Sequence, residues 1–251
     1  MRPKLSVVRT GLAIFVVGCV LLFGSRVGLA DDSWTDANIV TGLDISGSIE
    51  ARDADIQIDG ISQAIRAPEI IAAIQRGHYR RIGFAVFVWA DGAYPVLASW
   101  SVISSPEDAL ETSEEVAHRL RAMLDSGIML RLGALTDVSN AIEYGGEMLR
   151  SAPFPTNSRI LNIVGNGIDN VGAGPRQARD RLVAQGIVIN AVALGYDRAI
   201  FEYFHQEVIG GETSFVLRAN DPEELVDVLA RKFVTEIVFN TGRTELAHAQ
   251  R

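Results

Sequence analysis

Cysteine is almost missing from this chain of 251 residues, with Cys19 the single example. No internal disulfide can staple the fold, and no Cys/His cluster is available to build a zinc site. Histidine is nearly as scarce, and His78, His118, His205 and His248 are scattered. The elbow pattern Gly-x-Ser-x-Gly does not occur, so a hydrolase triad has no support. His205, within FEYFHQEV, reads as packed or solvated rather than catalytic. Long apolar runs are also lacking, because Gly11 to Gly24 falls short of the roughly 20 residues a spanning helix needs. Basic residues are outnumbered, 23 against 31 acidic ones, for a formal charge of −8. Such a surface repels nucleic acid and anionic lipid and favours cations and basic partners.

The first thirty residues read as an export signal. MRPKLSVVR is basic, the apolar run follows, and SRVGLA ends in small residues before Asp31 and Asp32. Cleavage is expected after Ala30, leaving a periplasmic or secreted protein. Two alternatives are an uncleaved membrane anchor and lipidation at Cys19, since Val16-Val17-Gly18-Cys19 resembles a lipobox. Against the second, the apolar run continues past Cys19 through Val20-Leu21-Leu22-Phe23. Removing residues 1–30 takes four basic groups (Arg2, Lys4, Arg9, Arg26) and no acidic one, which moves the formal charge to −12. Nearly half of the residues are hydrophobic (48%), enough for one well-filled domain over residues 31–237. No internal repeat, low-complexity tract or linker divides it, and residues 238–251 read as a polar, frayed tail.

Strands are expected at Asn38 to Leu43, Arg81 to Ala90, Tyr94 to Ile103, Arg159 to Val164, Ile187 to Leu194 and Thr213 to Leu217. Helices are expected at Ala54 to Ile65, Glu69 to Gln75, from Pro106 onward, Thr136 to Leu149, Pro175 to Gln185, Ile200 to Val208 and Pro222 to Ile237. Leu110, Val116, Leu120 and Leu124 would give the helix opened by Ser105-Pro106 its core face. Asp91-Gly92 is a hairpin signal. This alternation implies an α/β fold: a doubly wound, mostly parallel central sheet with one antiparallel edge strand and helices on both faces. The aromatic strand Phe84 to Trp89, with Trp100 opposite, reads as core, and the acidic stretch Glu107 to Glu115 as a solvated helix face.

In open sheets of this kind ligands bind beyond the carboxyl ends of the strands, where the strand order reverses. VTGLDISGSIE, Val40 to Glu50, puts Asp44 at such an end, with Ser46 and Ser48 at alternate positions after it and Gly47 relaxing the backbone between them. One carboxylate and two hydroxyls can face a magnesium-type cation, which takes about six oxygens. They can equally be a helix cap and an acceptor of backbone hydrogen bonds. Two further loops precede helices in LGALTDVSNAI and NIVGNGIDNVG. Gly165-x-Gly167 has two glycines of a nucleotide-binding turn, but position 170 is Asn170 and the loop does not follow the first strand.

Across roughly residues 36–237 the sequence resembles the von Willebrand factor A domain with its metal-ion-dependent adhesion site. The matching positions are Asp44, Ser46 and Ser48, then Thr136, then Asn166 before Gly167. RILNIVGNGIDN, GIVINAVALG and FEYFHQEVIGG look like an exported bacterial branch of A-domain proteins of unknown function. The resemblance implies a non-enzymatic module that binds a protein partner through Mg²⁺, or Mn²⁺ or Ca²⁺, with the partner's carboxylate completing the coordination. One departure stands out: the family's third-loop aspartate is Asn166 here, which offers a carbonyl oxygen without the charge. Asp169 and Asp137 are the nearby acids able to compensate, directly or through water. Two other readings stay open: a scaffold whose metal site is structural or decayed, and a magnesium-dependent phosphoryl-transfer enzyme. The latter lacks a second acid in the Asp44 loop, where Ser46 stands instead.

Overall fold

The structure, a computed structural model, describes residues 33–47, 49, 51–91, 96–127, 135–172 and 174–249. The signal-like segment with Cys19 and Ala30, Gly92 of the hairpin turn, and Ser48 lie outside the described residues. The first half contains β1 (Ala37–Asp44), α1 (Ala51–Ile65), α2 (Pro68–Ile74), β2 (Ile82–Trp89), β3 (Val96–Ile103) and α3 (Pro106–Asp125). The second contains α4 (Val138–Arg150), β4 (Arg159–Gly165), α5 (Arg176–Ala184), β5 (Ile187–Leu194), α6 (Arg198–Tyr203), β6 (Val216–Ala219) and α7 (Leu225–Ala249).

The six strands form one sheet in the order β3-β2-β1-β4-β5-β6. All neighbours run parallel except β2 and β3, the antiparallel edge pair. The order reverses between β1 and β4, so the switch point lies where these two strands end. Alternation sorts the side chains onto two faces. Ile39 and Leu43 of β1 join Phe84, Val86 and Val88 of β2 under α1, α2, α3 and α7. Val40 joins Phe87, Trp89, Leu161 and Ile163 under α4, α5 and the π-helical turn Phe204–Val208 that extends α6. This is the doubly wound fold of von Willebrand factor A type that the sequence implied.

Four local differences separate the structure from the expected elements. Leu110, expected in the core face of α3, is largely exposed; that face uses Ala109, Val116, Leu120 and Met123. The reciprocal cap that starts α3 sets this phase: Ser105 Oγ accepts from the Asp108 N–H, and Asp108 Oδ2 accepts from the N–H groups of Ser104 and Ser105. The last strand begins at Val216 rather than Thr213, because Gly211 (φ +98°) and Thr213 (φ +68°) form a left-handed turn closed by Ser214 N–H to Gly211 carbonyl. Helix α4 starts at Val138, capped by Asp137, which leaves Thr136 in the loop before it. Helix α7 continues through the expected tail to Ala249. Among the described residues no helix is long and apolar enough to cross a membrane.

One polar layer interrupts the apolar interior. Thr41, Asn162 and Asn190 sit in register across β1, β4 and β5. Lys232 and Glu236, fully buried on α7, close onto that row. Lys232 Nζ donates to Glu236 Oε1 and to Asn162 Oδ1, and the Asn190 and Asn162 amides donate to Glu236 at 2.6 and 3.2 Å.

Candidate functional site

Asp44 is the last residue of β1, opposite Trp89 of β2, and it is completely buried. The chain turns immediately after it. The Ser46 N–H donates to Asp44 Oδ1 at 2.8 Å, and the Ile49 N–H closes the turn on the Ser46 carbonyl. From the neighbouring strand end, the Asn166 N–H reaches Asp44 Oδ2 at 3.4 Å. Gln57, on the buried stripe of α1, donates Nε2 to the Asp44 carbonyl at 3.1 Å. Burial pushes the Asp44 carboxyl up to about 6, against the pull of the Ser46 hydroxyl and N–H and the Asn166 N–H. Among the described residues no cationic side chain contributes to that balance.

The second and third loops converge on the same edge. Thr136 is buried, and its N–H and carbonyl pair with the Asn170 side-chain oxygen (2.9 Å) and N–H (3.0 Å). Glycine lets the loops approach closely where they touch. A Cβ on Gly167 would sit 3.1 Å from Thr136 Oγ1, and one on Gly165 only 2.9 Å from Asp44 Oδ2 and 3.0 Å from the Trp89 ring. Asp44, Ser46, Thr136 and Asn166 therefore belong to three adjoining loops at the switch point.

The two acids considered as compensating are occupied by the backbone. Asp137 accepts from the Asn140 N–H at 2.8 Å as the cap of α4. Asp169 takes the Ser139 N–H on Oδ2 at 3.0 Å and those of Val171 and Gly172 on Oδ1 at 3.3 and 3.2 Å. Its own N–H donates to the Tyr203 hydroxyl, which ties the loop to α6. Among the described residues no three His, Cys, Asp or Glu side chains gather as a metal cluster. The donors present at this edge are the Asp44 carboxylate, hydroxyls and an amide carbonyl, an all-oxygen set of the kind that hard divalent cations take.

Residues 34–241 match the model of a family described as proteins of unknown function, DUF1194. The chain belongs to that family. No curated protein matches it. Among solved structures, this DUF1194 protein is similar to proximal thread matrix protein 1 (PTMP1) of the mussel byssus, at TM-score 0.56 and 17% identity over 80% of this chain and 47% of that one. A second structure of PTMP1, described as having a zinc occupied MIDAS motif, aligns at TM-score 0.55 and 17% identity over 82% of this chain and 48% of that one. The pilus adhesin SpaC of Lactobacillus rhamnosus GG aligns at 0.56 and 12% over 82% of this chain and 31% of that one. The chain thus spans half or less of the length of these neighbours, and at such identity the likeness establishes the fold. By name they are a matrix protein and an adhesin rather than enzymes.

Sequence reasoning missed Gln57, Asn170 and Tyr203. Gln57 left a legible trace, since it falls beside Ala54, Ile58, Ile61 and Ile65 on the mostly apolar buried stripe of α1. Asn170 and Tyr203 join loops far apart in the chain and left none.

Proposed function

We propose that this protein is an exported binding module that engages a protein partner through a divalent cation at the carboxyl edge of its sheet. The observation that carries the proposal is Asp44: a fully buried carboxylate at the switch point, with no cationic partner among the described residues, beside the loops of Thr136 and Asn166. An ionised carboxylate taken out of water is costly unless a positive charge meets it. A magnesium-type cation would supply that charge. Asp44, Ser46 and Thr136 would hold it, with Ser48 after Ser46 and the Asn166 carbonyl as weaker donors, and Asp169 and Asp137 acting at most through water.

When bound, the cation would convert the repulsion between an acidic domain and an acidic ligand into attraction. The surroundings suit a protein ligand. Leu135, Ile168 and Val171, each close to half exposed, lie on the loops that carry Thr136 and Asn166, and exposed apolar side chains grouped in this way mark interaction surfaces. Export rests on the basic and apolar N-terminal segment.

Calorimetric titration of residues 31–251 with magnesium and then manganese tests the proposal, with Asp44→Ala as control. Saturable binding that the mutant loses is the expected result. Equal heats for both proteins would leave the fold as a scaffold whose contacts lie elsewhere.

A further inference from the structure

A cleft of about 350 Å³ opens beside the Asp44 loops, where α1 faces the ends of β5 and β6. Its volume falls in the range of small-molecule sites, about 300–1,000 Å³. Ile56, Leu194, Ile200 and Leu225 supply apolar walls, and Gln57 and Asn166 are among its polar borders. Glycine shapes the mouth: Gly195, at φ +89°, turns the chain sharply out of β5 while its N–H holds the Ala219 carbonyl of β6. Tyr196 then bridges the rim, its hydroxyl donating to Asp221 Oδ2 at 2.7 Å.

Gln57 is the informative residue. It is 3% exposed, and its Nε2 is committed to the Asp44 carbonyl. Its Oε1 is buried and accepts no hydrogen bond among the described residues. The amide cannot be reversed to cure this, because Oε1 would then oppose a carbonyl oxygen. A buried acceptor left in this state is unfavourable, and Gln57 is among the residues that line the cleft. No Lys, Arg or His is among the described residues that border the cleft, so nothing there recruits an anion, and the acid Asp197 is engaged as the cap of α6, accepting the Ala199 N–H at 2.8 Å.

We propose that this cleft binds a compact, uncharged, largely apolar molecule whose hydroxyl or N–H group donates to Gln57 Oε1. The site is separate from the cation position yet joined to it, because Gln57 and Asn166 each hydrogen-bond Asp44 from the other side. It stands whether or not a cation binds, so it is tested with a chelator present.

The probes are 4-methylphenol and toluene, which differ only in the donor. Titration of the ¹⁵N-labelled protein in EDTA should give saturable shifts at the Gln57 side-chain amide, Leu194 and Ala219 with 4-methylphenol. Toluene should bind about tenfold more weakly, the value of one hydrogen bond to a buried acceptor. Ile56→Trp, which fills the cleft from a half-buried position on α1, should abolish both sets of shifts. Equal affinity for the two probes would overturn the role of Gln57. Shifts that do not saturate, that fall outside the cleft, or that persist in Ile56→Trp would overturn the site.

Discussion

Asn166 reaches across the switch point with its backbone to hold Asp44: the donor is its N–H and the acceptor Asp44 Oδ2, at 3.4 Å. Any residue but proline at position 166 can keep that bond, so exchanging the side chain there changes the charge of the edge without removing the bond. Asn166→Asp should therefore leave the fold intact and raise cation affinity on the order of tenfold, because oxygen sites tighten as ligand charge is added. Calorimetry of the two proteins with magnesium measures the difference. An unchanged or weaker affinity would mean that position 166 does not face the cation.

The raised pKa of Asp44 makes a second expectation, with a definite sign. Folded, the group titrates at about 6 rather than at the ordinary 3.8. The folded state holds the proton more tightly, so this contribution to stability is complete below pH ~4. It is lost as pH rises through ~6. The loss is about 3 kcal/mol in cation-free protein, at 1.36 kcal/mol per pKa unit. Denaturant unfolding of wild type and Asp44→Asn across pH 4–7 isolates it, because the other carboxylates titrate in both. Wild type should lose ground to the mutant as pH rises, and saturating magnesium should recover it through preferential binding to the folded state. A pH-independent difference would place the carboxyl in a more solvated setting than its burial implies.

Gly165 offers a steric way to disturb the same group. A Cβ there would lie 2.9 Å from Asp44 Oδ2 and 3.0 Å from the Trp89 ring, and both neighbours are buried. Gly165→Ala should displace the carboxylate and lower cation affinity at least tenfold, with a stability loss of about 1–3 kcal/mol from overpacking. Gly42→Ala is the matched control, since its Cβ would meet the Phe87 ring at 2.5 Å and not Asp44. It should cost similar stability and leave cation affinity unchanged. Calorimetry beside denaturant unfolding reads both, and equal affinity losses would refer the effect to general destabilisation.

The fold was legible because strong local signals agreed. Ile187–Leu194 is a run apolar but for Asn190, with the boundaries expected of it, and the Ser105-Pro106 start of α3 carries its own cap. The edge of the sheet was legible for the same reason, since Asp44 follows directly on an apolar strand. Signals failed where a non-local contact decides. Leu110 looks like core until the phase set by the Ser105 and Asp108 cap turns it outward. Thr213 favours a strand by type, yet a positive φ beside Gly211 places it in a turn. Asp137 and Asp169 looked free as compensating acids, and only the folded chain brings them the Asn140, Ser139, Val171 and Gly172 N–H groups.

The least legible feature of all is the polar layer beneath α7. In sequence, Lys232 and Glu236 are an ordinary i,i+4 pair of the kind found on exposed helices. Folded, they are 0% and 1% exposed and lie over Thr41, Asn162 and Asn190. Burial lowers the Lys232 pKa, while Glu236 pulls it back by charge and hydrogen bond. Removing one partner leaves the other charge stranded, so Glu236→Leu should destabilise by about 3–5 kcal/mol. Lys232→Met with Glu236→Leu removes both charges and fills the space with apolar groups, which is often neutral or stabilising. The double variant should therefore be more stable than Glu236→Leu alone, which is strong non-additivity. It should not fully match wild type, because the Asn162 and Asn190 amides lose Glu236 as acceptor. Urea unfolding of wild type, both single variants and the double variant closes the cycle, and additive losses would mean that the pair is not coupled.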